Sequence, residues 1–285
     1  MTADASGIDV INVIAGSAGG TANVRLRDST LRIRETADWA GSGSMLIGSN
    51  GGTGTFSATG GSIDVARDLV IAIGSTAPST DGQLSLLDSA LTVGGSVGIG
   101  SFNPTSRGRL SLTNSVADVG LGFFLGGSAN DGTLFGEAAL QIDASLLTIG
   151  EDLRIDAGAA PGVQVIFGVG GTMRGHGGYG AIDIGGGAWL AGQLLVDFAE
   201  LDPYAIGSGF DFDLIFASSG FSGDFDSVSF ANLGAGYVVR SYGIVDVGHS
   251  EVWRVTLAAA TVPVPATLPL LLLGGLLIAV RARRS

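Results

Sequence analysis

The side chains able to do chemistry are few and unevenly spread. Cysteine and lysine are absent, all 14 basic residues are arginine, and the only histidines are His176 and His249. Disulfides, thiol catalysis and cysteine metal sites are therefore excluded. His176 stands in RGHGGYG (174–180), with glycine on both sides, which reads as a surface turn rather than a ligand cage. Serine and aspartate abound, so a Ser-His-Asp site can be drawn on paper, but catalysis through either histidine is not expected. Oxygen ligands suit calcium, and GGTGTF (51–56) and SANDGTLF (128–135) come near the Gly-Gly-x-Gly-x-Asp nonapeptide of calcium-binding β-rolls. Neither carries the full pattern or recurs at that spacing. The pairs Asp211/Asp213 and Asp224/Asp226 read as solvated strand positions, so no metal site and no cofactor is expected. Arg25, Arg27, Arg32 and Arg34 cluster on two successive outward strand faces. They read as charge balance against Asp28, Glu35 and Asp38, with a small carbohydrate-binding patch as the alternative.

The formal net charge is −12, or −15 once the three arginines of the last five residues are set aside. A body this acidic repels phosphate backbones, so no nucleic-acid partner is expected. Glycine supplies 49 of 285 residues, well above the roughly 7% of ordinary chains and without the period of collagen. Charged residues make up only 14% and hydrophobic ones 46%, a composition that buries a core rather than staying disordered.

The elements that would position these groups come from a repeat. The signal apolar-x-apolar-Gly occurs as Met45-Leu-Ile47-Gly48, Ile71-Ala-Ile73-Gly74, Val97-Gly-Ile99-Gly100 and Phe123-Phe-Leu125-Gly126, with successive glycines 26 residues apart. Upstream lie two more alternating pairs around a serine: Leu84/Leu86, Ser89 and Leu91/Val93, then Leu110/Leu112, Ser115 and Ala117/Val119. Further copies run through Val24/Leu26, Ser29, Leu31/Ile33 and through Leu140/Ile142, Ser145, Leu147/Ile149. Period-two alternation puts each apolar pair on one face, and a two-residue stripe makes a core only when successive turns stack at about 4.8 Å. The expected fold is all-β: a parallel β-helix of ~26-residue turns, right-handed as parallel crossovers almost always are.

We divide the chain into β-helix repeats over 1–160, glycine-rich turns and a closing β-sheet over 161–258, and a tail over 259–285. Phe210, Phe212, Leu214 and Phe216 are expected on one strand face and Asp211 and Asp213 on the other. Ser6, Ile8 and Val10 match the second strand of a repeat whose first strand is absent. This predicts a signal peptide and first strands upstream of Met1.

The tail, VPVPATLPLLLLGGLLIAVRARRS (262–285), is the most apolar part of the chain. Thr261 to Val280 is twenty residues without a charge, which as a helix spans about 30 Å, the thickness of a bilayer's hydrocarbon. Arg281, Arg283 and Arg284 would hold its end on the cytoplasmic side and leave the body outside.

This order of motif, apolar helix and basic stop resembles the PEP-CTERM family of sorting tails. Val262-Pro263-Val264-Pro265-Ala266 looks like the VPLPA-type motif with valine in place of leucine. The resemblance implies that an exosortase-type membrane transpeptidase of a Gram-negative bacterium recognises the tail. It would cut near the motif and release or transfer the body to the surface or an extracellular matrix, where exopolysaccharide is a partner. The glycine-rich body is loosely similar to autotransporter-like β-helix passengers, which implies architecture rather than activity. The expected function is that of a non-enzymatic surface or matrix protein. The alternatives are a β-helix that binds or cleaves carbohydrate, and an unprocessed membrane-anchored adhesin.

Overall fold

A computed structural model describes residues 2–4, 7–37, 42–74, 79–100, 105–126, 136–156, 162–202, 207 and 209–260. These residues form a β-solenoid with three sheets, of nine, ten and eight strands, joined at three corners and parallel except where two antiparallel strands end the ten-stranded sheet. Up to the strand Ser227–Ala231 every third strand in sequence enters the same sheet, so each turn contributes one strand to each face. No helix occurs among the described residues.

The alternation in the sequence explains the packing. In the first-face strand Arg107–Thr113, Gly108, Leu110 and Leu112 point inward and are buried, while Arg107 and Arg109 are exposed. Leu110 stacks between Leu84 of the preceding turn and Leu140 of the next. On the second face Leu91, Ala117 and Leu147 form a parallel ladder; on the third, Ile71, Ile99, Leu125 and Ile155 do the same. All are at most 1% exposed. Burial of each such leucine or isoleucine contributes about 1.5–3 kcal/mol, and the three ladders merge into one hydrophobic core running the length of the coil.

Each corner has its own chemistry. The first, between faces one and two, is a two-residue turn whose leading residue takes positive φ: Asp28 (46°), Gly60 (67°), Asp88 (50°), Asn114 (49°) and Ala144 (45°). Its second residue is a serine in four of these turns. Ser89, Ser115 and Ser145 each donate Oγ–H to the carbonyl two residues back, at 2.7 Å. Ser115 Oγ accepts the N–H of Ser89 at 3.1 Å, and Ser145 Oγ that of Ser115 at 2.8 Å. The buried serines thus tie turn to turn where sheet pairing lapses.

The second corner is tighter at the backbone. A Cβ on Gly150 would lie 2.3 Å from the carbonyl oxygen of Gly120, so only glycine fits that approach. Carboxylates cap this corner: Asp68 Oδ1 accepts the N–H of Ser96 at 2.9 Å and Asp152 Oδ1 that of Gly187 at 2.8 Å. The third corner absorbs differences in turn length, the connection from Leu125 to Glu137 being longer than that from Ser49 to Thr53.

The uniform 26-residue register holds for only one stretch, in which Leu84, Leu91 and Ile99 stack on Leu110, Ala117 and Leu125. One turn earlier Ile47 stacks on Ile71 and Ile71 on Ile99. Ala72 therefore stands in the glycine column in place of Gly74. It adopts φ 60°, beside Gly48 at 71° and Gly100 at 67°. The equal spacing of Gly48 and Gly74 is a coincidence of a shorter third-face step followed by a longer one.

Two further expectations are corrected. Thr2–Asp4 pairs with Arg25–Arg27 on the first face, so the first strand that the sequence reading leaves out is present, though short. In Gly209–Ala217 the alternation breaks at a β-bulge between Asp213 and Ile215. Phe212 and Leu214 are buried as expected, but Ile215 takes the next inward place and Phe216 turns half outward. The coil itself continues through Ser227–Ala231, after which Tyr237–Val247 and Ser250–Ala259 add two antiparallel strands to the second face. Trp253, fully buried there, packs edge-on to Phe225 at 5.7 Å and donates Nε1–H to Asp224 Oδ1 at 3.0 Å.

Candidate functional site

The first corner carries a row of polar side chains on the surface. Its stacked positive-φ residues place Asp28, Asp88 and Asn114 in one row, where Asn114 Nδ2–H donates to Asp88 Oδ1 at 2.5 Å. The two-residue turn gives way after Gly168 to the longer connection 169–180. That connection returns His176 to the row, and together they line an open groove of about 450 Å³. Arg174 anchors it, donating to the carbonyls of Ile182 and Asp213 at 3.0 Å and pairing with Asp183 at 2.7 Å.

A second groove, of about 370 Å³, adjoins on the first face and shares Asn114. It holds three carboxylates, Asp143, Asp197 and Glu200. Asp143 ends the strand Glu137–Asp143 and Asp197 ends Gln193–Asp197, with Gly168 on the rung between them. Burial raises the Asp143 carboxyl above its ordinary value. Glu200 and Asp197 push the same way, against hydrogen bonds from Gln141, at 2.6 Å, and from the Gly168 N–H. A carboxyl so placed takes up a proton more readily than an ordinary aspartate, and the row of carboxylates, amides and hydroxyls suits a hydroxyl-rich ligand.

The residues singled out in the sequence scatter. His176 lines the first groove, whereas His249 sits in the turn 248–249 between the two antiparallel strands. Asp211 and Asp213 are held by Arg254, whose guanidinium reaches Asp213 at 2.5 and 3.1 Å and Asp211 at 3.3 Å. Asp213 is the first cause of the raised Arg254 pKa. Asp224 accepts the Trp253 indole N–H and Asp226 Oδ2 the N–H of Gly192, so both serve the backbone and the core. In the arginine cluster, Arg34 pairs with Asp9 at 3.1 Å and Arg32 with Asp64 at 3.5 Å, partners one rung away rather than adjacent in sequence. GGSVG (94–98) matches the letters of a nucleophile elbow, but Ser96 lies in a strand-to-strand corner, without the following helix that motif needs. Among the described residues no group of three or more acids and histidines is placed to hold a metal ion.

Asp143, Asp197 and Glu200 were not apparent in the sequence. The signal available was that Asp143 and Asp197 both end first-face strands, which becomes readable only once the coil register is known. Val262, Pro263, Val264, Pro265 and Ala266, with Arg281, Arg283 and Arg284, lie outside the described residues. No described helix is long and apolar enough to cross a membrane. Comparison with models of known protein families and with characterised proteins gives no match.

Proposed function

We propose that the protein is an exported bacterial surface or extracellular-matrix structural protein, carried to the envelope by its C-terminal tail. The observation that carries this reading is the order of that tail: Val262 to Ala266, an uncharged apolar stretch to Val280, then Arg281, Arg283 and Arg284. The body is consistent with it. Ala260, just after the last strand, donates its N–H to the Gly236 carbonyl at 2.8 Å, so the solenoid's order runs up to the start of the motif-bearing segment. In this reading an exosortase-type enzyme reads the motif while the apolar segment holds the chain in the membrane, and the coil is then delivered outside. Mass spectrometry of the mature C-terminus in the native host tests it. Loss of the residues after the motif is expected, and a chain with Pro263 and Pro265 both changed to alanine should stay unprocessed. An intact RARRS end on the surface protein would defeat the reading and leave a plain anchored adhesin.

The grooves at the first corner support a second reading, a body that binds or cleaves polysaccharide. Asp143, with its raised affinity for a proton beside Glu200 and Asp197, is the observation in its favour. A glycan array and a turnover assay on acidic and neutral polysaccharides separate the two. Binding abolished by Asp143→Asn and Glu200→Gln would establish this second reading, and cleavage lost in the same variants would displace the structural one.

A further inference from the structure

We infer that two copies of the chain join through the strand Tyr237–Val247, antiparallel about a two-fold axis at Gly243. This strand is the outer edge of the ten-stranded second sheet; one side pairs with Ser250–Ala259 and the other pairs with nothing among the described residues. It is eleven residues long, about twice an ordinary strand. Natural sheets keep such edges short, charged or covered, because unpaired N–H and C=O groups recruit another strand. Here the edge is also apolar on both faces. Val238 is 47% exposed, Val247 45% and Tyr242 55%, and Ile244 and Val245 also reach solvent.

The sequence of the strand identifies its partner. Reading outward from Gly243 in YVVRSYGIVDV pairs Tyr242 with Ile244, Ser241 with Val245, Arg240 with Asp246 and Val239 with Val247. Arg240 and Asp246 are the only charged residues of the strand, and neither forms an ion pair among the described residues. An isologous antiparallel pair therefore sets Arg240 of each copy opposite Asp246 of the other, twice, with Tyr242–Ile244 and Ser241–Val245 between and Val239–Val247 beyond. Other registers lose this match: centring on Tyr242 sets Arg240 against Ile244 and Asp246 against Val238. The β-bulge between Val239 and Ser241 makes Arg240 its extra residue, so the regular pairing across the axis runs from Ser241 to Val245 and the Arg240–Asp246 charge pair closes it at each end. Tyr242 is held for this contact, its ring 5.3 Å from Phe230 and 6.1 Å from Trp253.

The test uses the full chain in a mild detergent that keeps its apolar C-terminus soluble, with sedimentation measured across concentration. A dimer is expected. Arg240→Asp or Asp246→Arg alone should raise its dissociation constant by about tenfold or more, because each sets two like charges opposite. The double exchange should restore it to within about threefold. A second readout exploits the absence of cysteine. Mixing Ser241→Cys chains with Val245→Cys chains should give a disulfide between the two variants, and neither alone should cross-link. A monomer at all concentrations, or a dimer indifferent to both single reversals, would overturn the inference. Association that persists through the reversals but vanishes in chains shortened after Ala260 would assign the contact to the tail instead.

Discussion

Asp143 is a single side chain whose protonation is coupled to the fold. Its carboxyl sits above the ordinary value chiefly because burial opposes the charged form, with Glu200 and Asp197 adding repulsion. Because the folded value is the higher one, the favourable contribution is present in full below the unfolded value, about 3.9, and is lost as pH rises through the folded value. Asp143→Asn, which keeps the shape without the charge, should therefore be more stable than the parent at pH 7, with the gap closing by pH 3. Denaturant unfolding at the two values checks this. An equal change at both would show that packing, not charge, decides the effect. Nothing local marked Asp143, since it ends a strand as Asp197 does and acquires its neighbours only when the rungs stack. Ala72 teaches the same lesson from the backbone: its positive φ was invisible because Gly74, two residues on, satisfied the pattern better.

The elements were more legible than their register. Val24/Leu26, Leu84/Leu86, Leu110/Leu112 and Leu140/Ile142 were readable as first-face strands from alternation alone, and Ser29, Ser89, Ser115 and Ser145 marked the corner that follows. What the serines do was not readable, because their hydrogen bonds cross between turns. Ser115 is buried and satisfies both the Thr113 carbonyl and the Ser89 N–H. Ser115→Ala should lower stability by about 1–3 kcal/mol, the range for stranding buried polar groups. Ser85→Ala, on the outward side of a first-face strand, should stay within about 0.5 kcal/mol. Equal effects in urea titrations would refute a structural role for the serine column. Gly61 interrupts that column, and a Cβ there would meet the Ser29 carbonyl oxygen at 2.1 Å, so the gap is enforced by backbone approach.

At the scale of the whole molecule the coil is close to one-dimensional, each turn resting on its neighbours, so its ends decide how it frays. Trp253 covers the C-terminal end through Phe225 and Asp224. Trp253→Ala removes a fully buried indole, a change that costs about 3–5 kcal/mol. The loss should appear locally. Hydrogen exchange is expected to accelerate in Gly209–Ala217 and Gln193–Asp197 while Ala90–Val93 and Val116–Val119 keep their protection. Uniform acceleration along the chain would mean that the coil unfolds as one unit and that the closing strands are no separate cover. By itself the sequence determined the all-β class, the three-strand turn, the inward residues of the regular rungs and the net acidity. Alternation and composition act within a few residues and need no partner. Only the tertiary structure decided which rungs stack, where the register slips, which carboxylates share a groove and which strand is left at the edge. The stacking of rungs depends on neighbours about 24 to 34 residues away along the chain, brought within one 4.8 Å step by the coil, and the shared groove and the free edge follow from that stacking.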